Sequence, residues 1–202
     1  GRVAAIGRAL GPGAAELDAD DRLVSPPFAD PHFHLDATLS RGRPRLNRSG
    51  TLLEGIELWG ELKTIQTAKE IVDRAMRYCD LAVAQGLLAI RSHVDVSDDL
   101  TGVEALLEVR ERVAPLIDLQ LVAFPQDGLF RCASAEATLL AALDRGVEIV
   151  GGIPHFERTM AEGARSVERL CAIAAERGLR VDMHCDETDD PMSRHVETLA
   201  FE

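Results

Sequence analysis

Five short apolar runs, each followed by an amphipathic stretch of helical period, constrain this chain more than any other feature. The runs are Phe28–His34, Leu87–His93, Leu119–Phe124, Val147–Ile153 and Leu179–His184. Strands that alternate with helices belong to a parallel sheet, because each return crossing needs a helix to cover one face. Val72, Ala75, Met76 and Cys79 fall at i, i+3, i+4 and i+7 ahead of Gly86, and Val167, Leu170, Cys171 and Ala174 repeat the pattern ahead of Gly178. Asp190-Pro191 reads as an N-cap with proline at the first helical position, opening a final helix. The expected fold is α/β: a (β/α)8 TIM barrel over residues 26–202, with about five β/α units present. A complete barrel typically takes ~250 residues, so three units are expected elsewhere.

Residues 1–25 break this rhythm. Gly1–Gly7 reads as a strand, and the turn-rich Gly11-Pro12-Gly13 follows it, which together suggest part of a separate small β element. The chain lacks an initiator Met, and the run from Ser193 to Glu202 carries no helix C-cap signal. The expectation is a piece of a longer protein.

Composition narrows the possible partners. With 46% hydrophobic and 28% charged residues the chain has ample material for a core. No run approaches the ~18 apolar residues of a membrane span, and no basic-then-apolar leader opens it, so the cytoplasm is the expected compartment. A net charge of −12 repels a phosphate backbone, which argues against a nucleic-acid polymer as partner. Cys79, Cys132, Cys171 and Cys185 show no Cys-x-x-Cys spacing, so neither a zinc knuckle nor a disulfide framework is indicated.

The chemistry is concentrated where the strands end. In Pro31-His32-Phe33-His34-Leu35-Asp36, two imidazoles one residue apart on a strand project to the same side and can share a metal ion, although such a pair can also be a polar strand terminus. His93 and Asp95 end the second run, Gln126 follows the third, His155 and Glu157 the fourth, and His184-Cys185-Asp186-Glu187 the fifth. Five of the six histidines thus lie at the barrel face that carries active sites in this architecture. His195 is expected to be a solvated helix residue, and Trp59, on an apolar helical stretch, a core residue.

These motifs carry a resemblance. Pro-His-Phe-His-Leu-Asp, the stretch Asn47 to Glu57, Ser92-His93-Val94-Asp95-Val96-Ser97-Asp98, Val122-Ala123-Phe124-Pro125-Gln126, Gly152-Ile153-Pro154-His155-Phe156-Glu157 and His184-Cys185-Asp186-Glu187 together resemble the bacterial cytosine deaminases of the amidohydrolase superfamily, from about Ser25 to the end. The resemblance implies a metal-dependent barrel flanked by a β-sandwich built from both chain termini, with residues 1–25 a remnant of it. It implies one divalent ion, Fe2+ or Zn2+, held by His32, His34 and His184, with an aspartate from an eighth strand and a further catalytic histidine both expected beyond residue 202. It also implies a homo-oligomer in the full-length protein, with a small heterocyclic base as substrate.

Hydrolytic deamination of cytosine to uracil and ammonia needs hydroxide at neutral pH and protons for a ring nitrogen and the departing amine. A bound metal ion supplies the first by lowering the pKa of its water to ~7. Glu187, three residues beyond His184, is the expected proton shuttle, a role the family also gives its glutamate; the alternative is a loop carboxylate capping the next helix. Asp186, Asp189 and Asp190 are read as such caps. Gln126 offers a donor and an acceptor to the O=C–N–H edge of a pyrimidine. Phe156 and His155 are candidates to contact substrate, with core packing and a supporting hydrogen bond as their respective alternatives. Asp36, His93 and Asp95 are expected to orient ligands from behind.

The paired signature of the cytidine deaminases, His-x-Glu with Pro-Cys-x-x-Cys, is incomplete here, because no Pro-Cys-x-x-Cys occurs. The competing readings are a barrel hydrolase acting on isocytosine, an aminotriazine such as an ammelide, creatinine or a pterin, and a metal-binding protein without catalysis.

Overall fold

The computed structural model describes residues 3–8 and 10–202. Within them, β1 (Phe28–Phe33), β2 (Leu87–Asp95), β3 (Asp118–Phe124), β4 (Ile149–Gly152) and β5 (Arg180–Met183) form one sheet in the order β1-β2-β3-β4-β5. Every neighbouring pair is parallel. Helices α1 (Leu52–Lys63), α2 (Ala68–Ala84), α3 (Thr101–Val113), α4 (Ala135–Asp144), α5 (Met160–Arg177) and α6 (His195–Phe201) fill the connections. Sequential strand order with helical crossovers is the pattern of a barrel wall, and the five strands form half of one.

The five expected barrel strands exist, with ends shifted by one or two residues. No strand occurs in residues 3–8 or 10–27, so the strand expected at Gly1–Gly7 is not seen at the described positions 3–7, and Gly1 and Arg2 lie outside the described residues. The β1–β2 ladder shifts register between Asp30 and Phe33. Pro31, which has no N–H to donate, sits inside that interval, and the His32 amide turns instead to the Asp30 carboxylate at 3.1 Å.

Alternation sorts the two faces of the sheet. Ile90 and Val94 of β2 and Leu119, Leu121 and Ala123 of β3 are buried with Ile71 and Val72 of α2, Leu106 of α3 and Leu139 of α4, which makes the outer layer the hydrophobic core. Arg91, His93 and Asp95 of β2 and Gln120, Val122 and Phe124 of β3 point to the concave side. Gly178 ends α5 at φ 65 as expected, and the structure adds helix starts of its own: Thr67 and Glu70 form a capping box at α2, and Thr159 caps α5.

Two expectations at the C-terminal end are corrected. The last helix does not open at Asp190-Pro191: the Asp190 carboxylate accepts from Met192 N at 2.9 Å in a turn, and α6 starts at His195. Its amides are capped from ten residues upstream by Asp186, whose carboxylate accepts from His195 N at 2.8 Å and Val196 N at 2.9 Å. His195 is not solvated. It is 2% exposed, its ring pressed against Gly163 of α5. A helix too short to hold itself is docked through that residue.

Candidate active site

Four imidazoles meet on the concave side. His32 lies 4.6 Å from His184 and 4.7 Å from His93, ring centre to ring centre, and His34 lies 5.3 Å from both His32 and His184. The Nε2 atoms of His34 and His184 are 3.3 Å apart. One ligand nitrogen from each of His32, His93 and His184 lies within 4.8 Å of the others. Burial, then the neighbouring His93, pushes the imidazoliums of His34 and His184 down to about 3, so both rings are neutral near pH 7 and keep a lone pair to offer.

Below the histidines runs a polar chain on the inner wall. Arg91 of β2 donates to Gln120 of β3 at 3.1 Å and to Asp182 of β5 at 2.8 Å, and Asp182 Oδ1 stands 3.5 Å from His93 Nε2. Burial alone would raise the Asp182 carboxyl, but His93 and Arg91 outweigh it and hold the group at about 2. A fixed anion is thus stationed at the back of the cluster.

A cavity of about 380 Å³ opens above the histidines. His32, His34, His184, Gln126 and Glu187 supply polar groups, and Leu52, Ile56, Trp59, Phe124 and Ile153 supply apolar walls. Glu157 pins the loop that presents Gln126, its carboxylate accepting from Leu129 N at 2.6 Å and Phe130 N at 3.1 Å. Ser97 holds the same loop through Asp127 N at 2.9 Å.

The remaining expected residues divide. Asp36 accepts from Asp95 N at 2.9 Å and also lines the cavity, and burial pushes its carboxyl up to about 7. Asp95 accepts from Trp59 Nε1 at 2.7 Å and Lys63 Nζ at 3.3 Å. Asp95 also accepts from Ser97 N at 2.8 Å, so among the described residues the side-chain hydrogen bonds of Asp36 and Asp95 go to backbone amides and helix α1, not to an imidazole. His155 and Phe156, expected against substrate, are not among the lining residues: His155 Nδ1 faces the His184 carbonyl at 3.1 Å, and Phe156 lies 4.4 Å under the Arg131 guanidinium. Trp59, expected in the core, is corrected to the cavity wall. The signal for it was available, since Leu52, Ile56, Trp59 and Lys63 fall at i, i+4, i+7 and i+11 on one helical face.

The donor set suits a divalent ion. Among the described residues, both ring nitrogens of His93 and the Nδ1 of His184 are fully buried without a hydrogen-bond partner, an arrangement that is costly unless something else engages the cluster.

The amidohydrolase family profile matches residues 15–201. Among curated proteins the chain is 32% identical over 180 residues to N-isopropylammelide isopropyl amidohydrolase of Pseudomonas sp. strain ADP, covering 84% of this chain and 43% of that protein. It is 31% identical over 189 residues to pterin deaminase of Rhizobium rhizogenes, covering 92% and 41%. Among solved structures it superposes on 5-methylcytosine deaminase from Klebsiella pneumoniae liganded with 5-fluorocytosine at a TM-score of 0.86 and 43% identity, over 94% of this chain and 48% of that one. With phosphonocytosine bound, the values are 0.87 and 44%. The chain therefore spans less than half the length of each of these relatives. On the profile match over nearly its whole length, the chain belongs to the amidohydrolase family.

Proposed function

We propose that the protein carrying this chain is a metal-dependent hydrolytic deaminase of amino-substituted heterocycles, with cytosine, converted to uracil and ammonia, as the named substrate. The observation that carries the reading is the convergence of His32, His34, His184, Gln126 and Glu187, from three separate strand ends, on one cavity with apolar walls. A planar base needs such a slot: flat apolar sides with a few convergent polar groups to fix its edge.

His32, His34 and His184 would hold a divalent ion, Fe2+ or Zn2+, which would supply hydroxide at neutral pH by lowering the pKa of water toward ~7. This chain's residues do the rest. Gln126 offers its amide N–H and C=O to the lactam edge and so fixes which ring carbon faces the histidines. Glu187 accepts one proton as water attacks the amino-bearing carbon and delivers it to the adjacent ring nitrogen; it then takes the second proton from the added oxygen and passes it to the amine, so that C=O forms as the C–N bond breaks and ammonia leaves. Leu52, Ile56 and Phe124 exclude bulk water from the ring faces.

The likeness to an enzyme named for N-isopropylammelide favours an N-alkylated aminotriazine as the second substrate reading. Ammonia or amine release from the metal-loaded whole protein, measured over cytosine, 5-methylcytosine, isocytosine, N-isopropylammelide, creatinine and pterin, decides between them. Turnover of another base with none of cytosine removes the named substrate and keeps the reaction class.

A further inference from the structure

Helix α1 is a wall without a foundation in the core. Leu62 is its one buried residue, and neither Leu62 nor any other α1 residue belongs to the apolar cluster under the outer helices. Yet Leu52, Ile56 and Trp59 form one side of the cavity. The helix is tied down by polar contacts at its C-terminal end. Trp59 Nε1 donates to Asp95 Oδ2 at 2.7 Å. Lys63 Nζ meets that same oxygen at 3.3 Å and Asp98 at 2.6 Å, and also pairs with Asp127. The Lys63 side chain is only 16% exposed. Its three carboxylates come from the end of β2, the loop after β2, and the loop after β3, where Asp127 directly follows Gln126.

We infer that Lys63 and Trp59 are positioning residues which, by locking α1 to Asp95, Asp98 and Asp127, set the gap between the α1 wall and the Gln126 loop and so select the size of the heterocycle. The inference rests on the deaminase reading for its substrate and on geometry alone for the tie. One ammonium holds three carboxylates that would otherwise repel, and Leu62 alone gives α1 a buried apolar anchor if it is lost. Burial by itself would lower the Lys63 pKa, but Asp95, Asp127 and Asp98 outweigh it and raise it, so the tie persists across the neutral range.

The test compares Lys63→Met, which keeps the aliphatic stem, Lys63→Arg, which keeps the charge, and Trp59→Phe, which removes the N–H, in the metal-loaded whole protein. Hydrogen exchange of the 52–63 amides is read beside that of β2, with metal content and with kcat and KM for cytosine and for the larger pterin. For Lys63→Met, exchange in 52–63 rises about tenfold while β2 stays protected. KM for cytosine rises about tenfold with kcat and metal content little changed, and the preference for cytosine over pterin shrinks. Trp59→Phe gives a smaller change of the same kind, and Lys63→Arg restores slow exchange. Unchanged exchange and KM in Lys63→Met, an Arg variant as loose as the Met one, or equal loss of protection in 52–63 and β2 would each overturn the inference. If the unaltered protein turns over none of the bases, the deaminase reading fails, and with it the size-selection part, while exchange still decides the tie.

Discussion

His34 Nε2 lies 3.3 Å from His184 Nε2, although 150 residues separate them and their strands are the two edges of the sheet. In a flat sheet, four inter-strand steps would hold those edges about 19 Å apart. The meeting of the two imidazoles is therefore a measure of how far the sheet has curled toward a barrel, and curvature rather than sequence proximity assembles the cluster.

Glu187→Gln should abolish turnover and leave the metal in place. The amide keeps the size of the side chain but cannot accept and return a proton, so kcat should fall by ~10² or more. Steady-state kinetics beside elemental analysis checks this, and loss of metal would show that Glu187 is a ligand.

His32→Ala, His34→Ala or His184→Ala should each strip the ion, since a site of a few imidazoles loses both a donor and its geometry when one ring goes. Metal content after dialysis against a mild chelator is the readout. Full occupancy in the His184 variant would contradict an ion shared between β1 and the end of β5.

Gln126→Ala should act on recognition. Losing paired hydrogen bonds to a buried polar edge costs on the order of 1–3 kcal/mol, which is about 5- to 150-fold in kcat/KM. The loop itself should persist, because Glu157 and Ser97 hold it through backbone amides. Equal kcat/KM for the variant on every base tested would remove Gln126 from the site.

Gly163→Ala should destabilise the protein at the α5–α6 contact. A Cβ there would stand 2.2 Å from His195 Cε1 and 2.6 Å from the Pro154 carbonyl oxygen. Overpacking of this kind typically costs about 1–3 kcal/mol. Adding His195→Ala should recover only part of the loss, because the backbone oxygen remains; a thermal melt of the single and double variants tests the coupling.

Asp36 gives a pH signature. Its folded-state carboxyl is raised to about 7 from the ordinary 3.8, burial being the cause. A raised pKa means that its contribution to stability is complete below the unfolded value and is lost as pH rises through the folded one. Denaturant melts of the unaltered chain and Asp36→Asn should therefore diverge between about pH 4 and 7, the variant losing less, by an amount of a few kcal/mol at ~1.4 per unit. Parallel curves over that window would place the charge elsewhere.

The sequence by itself determined what is local. Apolar runs located the five strands, helical spacing located α2 and α5, the glycines at 86 and 178 marked helix ends, and the strand-end histidines marked the working face, because each of these depends on hydrogen bonds and side-chain direction within a few residues. The tertiary structure decided whatever depends on the approach of distant segments. It brought His93 into the cluster with His32 and His184, buried His195 on Gly163, and chose Asp186 among the three carboxylates the sequence offered as caps of the last helix. It also turned Trp59 and Lys63 toward Asp95, making a surface helix the wall of the cavity. Helical period shows which residues share a face, but only the curl of the sheet fixes what that face meets.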